Sequence, residues 1–122
     1  MRIFIICQVR IATPEYRIKL EEYARNLEEQ GHIVHLPHRD TMQEASGYSI
    51  CHQNYCAIYS ADEVHVFYNP ESTGTHFDLG MAFSLGKKIK VIENVPYGEG
   101  KSFPRLLDEW VNIQKQLPIE EY

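Results

Sequence analysis

Short apolar runs alternate with amphipathic stretches along this chain, and the alternation repeats four times. The apolar runs are short and rich in β-branched residues, which is typical of strands buried on both faces. They are Ile3–Cys7, His32–Leu36, Val64–Tyr68 and Ile89–Ile92. Four such strands separated by helices predict a three-layer α/β sandwich of the flavodoxin or Rossmann type. Its parallel sheet would have four or five strands, in the order 2-1-3-4.

Apolar residues at helical spacing predict a helix after each strand. Thr13 as cap, Pro14 at the first helical position and Gly31 as a left-handed cap delimit the first helix. The other helices are expected from about Tyr48 to Ser60, from Gly74 to Gly86, and from Ser102 to a stop at Pro118. The polar segment 37–47 is expected to be an irregular loop, and loops of that length are often functional.

Composition narrows the class of protein. At 122 residues, with 43% apolar and 24% charged residues, the chain fits one soluble globular domain, 1–122. A net charge of −5 without a basic cluster argues against nucleic acid or an anionic membrane as partner. No apolar run approaches the length of a membrane span. Because the three cysteines form no C-x-x-C pair and the N-terminus has no signal-peptide pattern, we expect a cytoplasmic protein with reduced thiols.

The segment Asn69–Gly86 carries the strongest functional signal. A polar turn there joins the third strand to a helix N-terminus, where unpaired amides and the helix dipole favour an anion. Ser72, Thr73 and Thr75 add hydroxyl groups, and Asp78 is expected in the first helical turn, held in its charged form. Thr75-x-x-Asp78 also fits a capping box, so a structural role competes with a chemical one.

In parallel sheets, ligands bind at the carboxyl ends of the strands, where the strand order reverses. With the order 2-1-3-4, the loop Cys7–Arg10 lies beside the turn Asn69–Thr75. The segments Pro37–Asp40 and Glu93–Val95 follow the other two strands. We therefore expect a small polar ligand with an anionic group to bind between the first two loops.

Histidines and cysteines offer weaker candidates. His35 and His38 lack zinc-site spacing, as do the other histidines, so surface or loop positions are favoured over a metal site. His76 lies close to Asp78 in sequence and is either a solvated side chain or a proton donor. Cys7 ends the first strand and is expected to be a buried, inert thiol, because no paired base is visible.

Several of these segments resemble the nucleoside 2-deoxyribosyltransferase family, including its branch of 2′-deoxynucleoside 5′-phosphate N-hydrolases. The resemblance covers most of the chain. Its most specific part is a small residue and glycine, then a catalytic acid followed by leucine or methionine and glycine. The matching segments are Ile3–Arg10, Asn54–Asp62, Ser72–Ala82 and Leu85–Ile89.

The resemblance implies cleavage or transfer of the N-glycosidic bond of a nucleotide or (deoxy)nucleoside. Asp78 occupies the position of a carboxylate nucleophile that forms a glycosyl-enzyme ester. Ser72 and Arg10 match residues that hold the 5′-phosphate in the hydrolase branch, and an arginine suits a phosphate. Gly74 and Thr75 are expected to complete this phosphate site.

The resemblance also suggests how the rest of the substrate is held. Asn54 and the loop 37–47 are expected to hold sugar and base, and Gln8 is a further substrate contact. In that loop, Asp40 either reads a nucleobase edge or is an ordinary solvated acid. Tyr122 matches a C-terminal tyrosine that lines the site in several family members, or lies in a frayed tail. No metal or organic cofactor is required, and a homodimer or larger homo-oligomer is implied.

This chain departs from the family pattern at three positions. Asp78 is one methylene shorter than the usual glutamate, Phe4 replaces a tyrosine that orients the nucleophile, and Asn54 replaces a substrate-binding aspartate. A displacement of about 1 Å can cost about a hundredfold in rate, whereas Asn54 can still bind a base or sugar hydroxyl. The second hypothesis is therefore a non-catalytic nucleotide-binding module. The third is an unrelated flavodoxin-like or response-regulator-like scaffold, and a regulator is disfavoured because no acidic pair follows the first strand.

Overall fold

The computed structural model describes residues 1–10 and 12–116. In chain order the elements are β1 (Arg2–Ile6), α1 (Pro14–Glu29), β2 (Ile33–His35), α2 (Pro37–Asp40), α3 (Gly47–Ser60), β3 (Glu63–Phe67), α4 (Thr73–Ser84), β4 (Ile89–Glu93) and α5 (Phe103–Gln116). All the strands and helices predicted from the pattern are present, with ends displaced by one or two residues. Pro118, the predicted stop of the last helix, and Tyr122 lie outside the described residues.

The described strands form one parallel sheet in the order β2-β1-β3-β4, as predicted. Phe4 of β1 lies opposite His35 of β2 on one side and opposite Val64 of β3 on the other. Because all four strands run the same way, their carboxyl ends meet at one edge of the sheet. The strand order reverses between β1 and β3, so the loops that follow these two strands enclose a crevice.

Helices cover both faces of the sheet, which confirms the three-layer α/β prediction. On one face, α3, α4 and α5 contribute the buried side chains of Ile58, Leu79 and Leu107 to a core with Phe4, Ile6, Val64 and Val66. On the other face, α1 contributes Leu20 and Ala24 to a core with Ile5, Val34 and Phe67. Alternate residues of β1 therefore face opposite cores, as the pleat of a strand requires.

The end signals read from the sequence act as predicted at α1. Thr13 Oγ1 accepts a hydrogen bond of 3.2 Å from the amide of Tyr16, and Pro14 is the first helical residue. Gly31, just beyond the helix, has a φ of 95°, which a residue with a Cβ adopts only with strain. These contacts fix where the chain leaves β1 and where it turns toward β2.

The segment 37–47 is not the irregular loop that its polarity suggested. It contains the short helix α2, which starts at Pro37 and ends at Asp40. The Asp40 carboxylate accepts a hydrogen bond of 2.9 Å from the amide of Leu36, and the Thr41 amide donates to the carbonyl of Pro37. A proline at the first position and a carboxylate bonded to a free amide stabilise one helical turn.

Within the described part of the chain, no helix combines the length and the apolar composition that crossing a bilayer would need.

Candidate active site

A cavity of about 330 Å³ opens at the carboxyl edge of the sheet, between the loops that follow β1 and β3. A hydrogen bond of 2.8 Å, donated by Asn69 Nδ2 to Gln8 Oε1, joins these two loops. The cavity wall consists of Cys7–Arg10, Pro37, Gln43, Gly47, Ile50, Cys51, Asn54, Glu71–Gly74, Phe77 and Asp78. The crevice expected from the strand order is therefore present.

The helix that carries Asp78 begins earlier than the sequence suggested. Ser72 is the N-cap of α4, and its Oγ accepts a hydrogen bond of 3.1 Å from the amide of Thr75. Asp78 consequently lies in the second turn, beyond the free amides of the first turn. The capping-box prediction for Thr75 and Asp78 is wrong, because Ser72 takes the capping role three residues before Thr75.

The prediction that Asp78 is held in its charged form is also wrong. Its side chain is 7% exposed, and burial raises the pKa of the carboxyl group to about 7, against the opposing hydrogen bond from Asn54. Because Asp78 lies outside the first turn, the helix dipole gives it little help. The carboxyl group therefore titrates close to neutral pH, while it lines an open cavity.

A chain of hydrogen bonds leads away from Asp78 into the protein. Asn54 Nδ2 donates to Asp78 Oδ2 over a long 3.4 Å, and Thr41 Oγ1 donates to Asn54 Oδ1 over 2.7 Å. The ring Nε2 of His35 lies 2.7 Å from Thr41 Oγ1. A hydroxyl group has a single hydrogen, and Thr41 gives it to Asn54, so His35 donates to Thr41.

The opposite end of the cavity is suited to an anion. The amides of Thr73 and Gly74 are the first of α4 and have no acceptor within the helix. The hydroxyl hydrogen of Ser72 is available, since its oxygen acts as acceptor for the Thr75 amide. Arg10 and Glu71 also line the cavity, with opposite charges. The attraction for an anion therefore comes from the amides and Ser72 at least as much as from net charge.

The structure brings most of the predicted site residues together and leaves two out. Gln8, Arg10, Asn54, Ser72, Gly74 and Asp78 all line the cavity. Thr75 is fully buried, and its hydroxyl group has no partner among the described residues. Asp40 lies away from the cavity, where it accepts hydrogen bonds from Arg39 and from the Leu36 amide.

The electrostatics of Asp40 are those of a structural residue. Its partial burial opposes ionisation, but the hydrogen bonds from Arg39 and Leu36 and the charge of Arg39 outweigh it and lower the pKa. Arg39 also donates to both carboxylate oxygens of Glu28 on α1. Both partners of Asp40 are thus supplied by the protein.

Several cavity residues were not singled out from the sequence. Ile50, Cys51 and Phe77 form an apolar part of the wall. The signal available was the helical repeat, because Ile50 precedes Asn54 by four residues and Phe77 follows Gly74 by three. Thr41 and His35 had no such signal, since the contacts from His35 to Thr41 and from Thr41 to Asn54 join separate elements.

The described histidines have structural partners. His76 is neither solvated nor directed at the cavity: its Nδ1 donates to the carbonyl of Ser72 over 2.7 Å, and Tyr68 donates to its Nε2 over 2.8 Å. Both ring nitrogens are therefore occupied, and the ring braces the turn before α4. Among the described residues, no three His, Cys, Asp or Glu side chains converge in a way that would hold a metal ion.

Cys7 lies in the cavity wall, almost fully buried. Burial and the neighbouring charge of Asp78 raise the pKa of its thiol to about 12. A thiol with so high a pKa stays protonated and is a poor nucleophile. This agrees with the inert thiol expected from the sequence.

No protein-family model matches the chain, and no curated protein matches it significantly in sequence. Three solved structures share its fold. The CMP N-glycosidase of Clostridium botulinum is 22% identical, with a TM-score of 0.61, over 93% of this chain and 82% of that one. The 2-deoxyribosyltransferase of Bacillus psychrosaccharolyticus is 19% identical, with a TM-score of 0.64, over 99% of this chain and 95% of that one.

The third structure is a 2-deoxyribosyltransferase from Leishmania mexicana, 18% identical with a TM-score of 0.60. The match covers 77% of this chain and 65% of that one. At these identities the likeness establishes the shared fold, and any activity has to be argued from the chemistry of the cavity.

Proposed function

We propose that this protein cleaves or transfers the N-glycosidic bond of a nucleotide or (deoxy)nucleoside, with Asp78 as the nucleophile. One observation carries the proposal: a largely buried carboxyl group lines a cavity that also contains the first amides of a helix. This combination offers a reactive acid at one end and an anion site at the other. A nucleoside 5′-phosphate has matching groups, a glycosidic carbon and a phosphate.

The proposed reaction starts from the ionised carboxylate. An oxygen of Asp78 attacks C1′ of the sugar, the bond from C1′ to the base nitrogen breaks, and the electron pair of that bond leaves with the base. The carboxylate also stabilises the positive charge that develops on the sugar ring. Water, or a second base, then attacks C1′, and the bond from C1′ to the Asp78 oxygen breaks, which restores the carboxylate. The proton lost by the attacking water or base is taken up by the base that left in the first step.

The environment of Asp78 supports this role. A carboxyl group whose pKa is raised to about 7 by burial is poorly solvated when it ionises, and a poorly solvated anion attacks more readily. At neutral pH a substantial fraction of the molecules carries the charged form. Among the described residues, Asn54 alone donates to Asp78, over 3.4 Å, which leaves lone pairs of the carboxylate for the sugar.

The anion end of the cavity supports a nucleotide over a bare nucleoside. The proposed phosphate contacts are the amides of Thr73 and Gly74, the hydroxyl group of Ser72 and the guanidinium of Arg10. The apolar wall of Ile50 and Phe77 is the proposed seat of the base. A volume of about 330 Å³ lies at the lower end of the range for small-molecule sites, which favours one nucleotide over a larger ligand.

The fold neighbours support the same proposal, since they are an N-glycosidase and two deoxyribosyltransferases. Together with the residue resemblance, they support membership of the nucleoside 2-deoxyribosyltransferase family. The phosphate-binding residues favour the branch that acts on nucleotides. A homo-oligomer and a cytoplasmic location stay predictions from the sequence.

A second candidate is a nucleotide-binding module without turnover. It is favoured by the aspartate at position 78, one methylene shorter than the family's glutamate, and by Phe4, which is fully buried and has no hydroxyl group. Both changes weaken the placement and orientation of a nucleophile. Neither changes the anion end of the cavity.

One assay separates the two candidates. The protein is incubated with a panel of nucleoside 5′-monophosphates and deoxynucleoside 5′-monophosphates, and release of free base is measured by chromatography. We expect release with the native protein and a loss of at least about a hundredfold in Asp78→Asn, since an amide cannot form the glycosyl ester. Mass spectrometry of quenched reactions should find the added sugar phosphate on the peptide that contains Asp78.

Asp40→Asn is the matched control, because it neutralises an aspartate outside the cavity. It should lower stability and leave base release intact. Tight nucleotide binding without base release, equal in the native protein and in Asp78→Asn, would instead establish the binding module. Release that survives in Asp78→Asn would remove Asp78 from the mechanism.

A further inference from the structure

The side chain of Asn54 faces Asp78 with one end of its amide group, and the two ends have opposite consequences. The NH₂ end donates to a carboxylate and stabilises its charge, whereas the carbonyl end repels it. In the family pattern an aspartate stands at this position and has no such choice. Something in this chain must therefore decide which end of Asn54 is presented to Asp78.

We propose that Thr41 and His35 are positioning residues, which fix the amide group of Asn54 so that its NH₂ end faces Asp78. The inference rests on the proposed function only where it treats Asp78 as the nucleophile. The geometric claim about the amide stands apart from any reaction.

The carbonyl end of the Asn54 amide is bound by Thr41. Thr41 Oγ1 donates to Asn54 Oδ1 over 2.7 Å, the usual length for a well-formed hydrogen bond from a hydroxyl group. Both residues are buried, with 4% and 7% of their surface exposed. An amide turned the other way would present its NH₂ group to Thr41, which could accept it only if the hydroxyl hydrogen pointed away from Asn54.

His35 in turn contacts the hydroxyl group of Thr41. A threonine hydroxyl can point its hydrogen toward either neighbour, so by itself it does not select one amide orientation. His35 Nε2 lies 2.7 Å from Thr41 Oγ1, and when it carries a hydrogen it forces the hydroxyl to point at Asn54. The tautomer with hydrogen on Nε2 of His35 and the direction of the chain of hydrogen bonds therefore go together.

The ring of His35 is held in place by packing. Its ring is stacked on that of Phe4, with ring centres 5.2 Å apart and planes inclined by 13°. Burial lowers the pKa of His35, the nearby Asp40 opposes that change, and Arg39 adds to it. The ring is therefore neutral at pH 7 and is held in place by a buried aromatic partner.

Neither positioning residue lines the active cavity. Thr41 and His35 are absent from its wall, whereas Asn54 and Asp78 are part of it. Of the other titratable groups that line the cavity, Cys7, just after β1, is a protonated thiol, and Arg10 and Glu71 are exposed. A change at Thr41 or His35 thus removes no contact with a ligand, and its effect must reach Asp78 through Asn54.

The test is Thr41→Val, which keeps the shape of the side chain and removes its hydroxyl group. The ionisation of Asp78 is followed by carbon-detected NMR of its carboxyl carbon, and the side-chain amide of Asn54 by its proton–nitrogen signals. We expect the pKa of Asp78 to rise by about 0.5 to 1 in Thr41→Val, because a long hydrogen bond to the charged form is lost. Thr41→Ser, which keeps the hydroxyl group, should return it to the native value.

His35→Phe is the second variant, since it preserves stacking on Phe4 and removes only the donor. It should raise the pKa of Asp78 in the same direction and broaden or shift the Asn54 amide signals. An unchanged pKa of Asp78 in a folded Thr41→Val or a folded His35→Phe would overturn the proposal.

Measurement of turnover is an independent test of the positioning role. If the protein releases base, Thr41→Val should lower kcat severalfold with KM nearly unchanged, and Thr41→Ser should restore kcat. If the native protein releases no base, the proposed function fails while the NMR result still decides the positioning role. The two failures are therefore distinguishable.

Discussion

Two buried titratable groups lie on opposite faces of the sheet, and they differ in their hydrogen-bond partners. His65 on β3 is 3% exposed and has two short partners: the hydroxyl of Tyr23 lies 2.6 Å from its Nδ1, and Glu63 Oε1 lies 2.7 Å from its Nε2. Asp78 on α4 is 7% exposed and has one partner among the described residues, at 3.4 Å. The histidine packs under α1, whereas the aspartate opens onto a cavity.

A comparison of these two side chains shows how a structural buried polar group differs from one that is a candidate for function. The carboxylate of Glu63 accepts from His65 Nε2, and His65 Nδ1 accepts from Tyr23, so both nitrogens of the ring are satisfied. Burial lowers the pKa of His65 despite the opposing hydrogen bond and charge of Glu63, so the ring stays neutral at pH 7. Asp78 has one long hydrogen bond, on Oδ2, and lines the cavity, an arrangement that costs stability and is expected where a ligand supplies further partners.

The largest expected effect concerns the pH dependence of stability at Asp78. In the unfolded chain its carboxyl group loses its proton near the ordinary value for aspartate, while in the folded protein the pKa is about 7. Between these values the folded state binds more protons than the unfolded state, so the free energy of unfolding falls as pH rises from about 4 to about 7. Above pH 7 the cost is constant, at about 4 kcal/mol.

Asp78→Asn removes this cost, since an amide does not ionise. Denaturation by urea should find the variant more stable than the native protein by up to about 4 kcal/mol at pH 8 and by about 1.5 kcal/mol at pH 5. Equal gains at the two pH values would mean that Asp78 has an ordinary pKa and that the contrast with His65 is unfounded.

The next effect is expected on the other face of the sheet. His65→Leu should lower the free energy of unfolding by about 2 kcal/mol, because Glu63 and Tyr23 are left without their shared partner. Tyr23→Phe removes one hydrogen bond and should cost about 1 kcal/mol. Both are measured by chemical denaturation alongside base release. If either variant loses activity at temperatures where it is folded, the cluster around His65 is not purely structural.

The smallest effect tests the anion end of the cavity. A Cβ at Gly74 would meet no atom of the protein within 4 Å, so Gly74→Ala should fold normally, yet it adds a methyl group to the cavity wall. We expect nucleotide binding to weaken by about tenfold and nucleoside binding to change little, since only the phosphate lies at this end. Calorimetric titration with a matched nucleotide and nucleoside measures both.

Gly80→Ala is the control in the same helix. Gly80 also has no atom within 4 Å of a Cβ, but it is exposed and lies outside the cavity. It should raise stability by about 0.5 to 1 kcal/mol and leave both ligands unaffected. Equal effects of the two variants on nucleotide binding would argue against a phosphate beside Gly74.

The alternation of strands and helices could be predicted from the sequence alone, because it follows from short-range patterns: the period of apolar residues, the proline at position 14 and the glycine at position 31. The strand order does not follow from such patterns; 2-1-3-4 was predicted as the usual order of a flavodoxin-like sheet, and the structure has it. The small errors have a local cause. Cys7 and Tyr68 were counted as strand residues because they continue the apolar runs, although they lie just beyond the last residues of β1 and β3.

The burial and ionisation of Asp78, the candidate nucleophile, depend on the tertiary structure. The resemblance selected Asp78 correctly as a cavity residue, but its burial depends on neighbours from several elements, which no local pattern records. The same reason explains why Asp40 was placed at the site and Thr41 was missed. Asp40 is engaged by Arg39, whereas Thr41, its neighbour in sequence, reaches Asn54 on α3. Periodicity fixes which elements form, whereas burial and hydrogen bonding between distant elements fix which side chains can react.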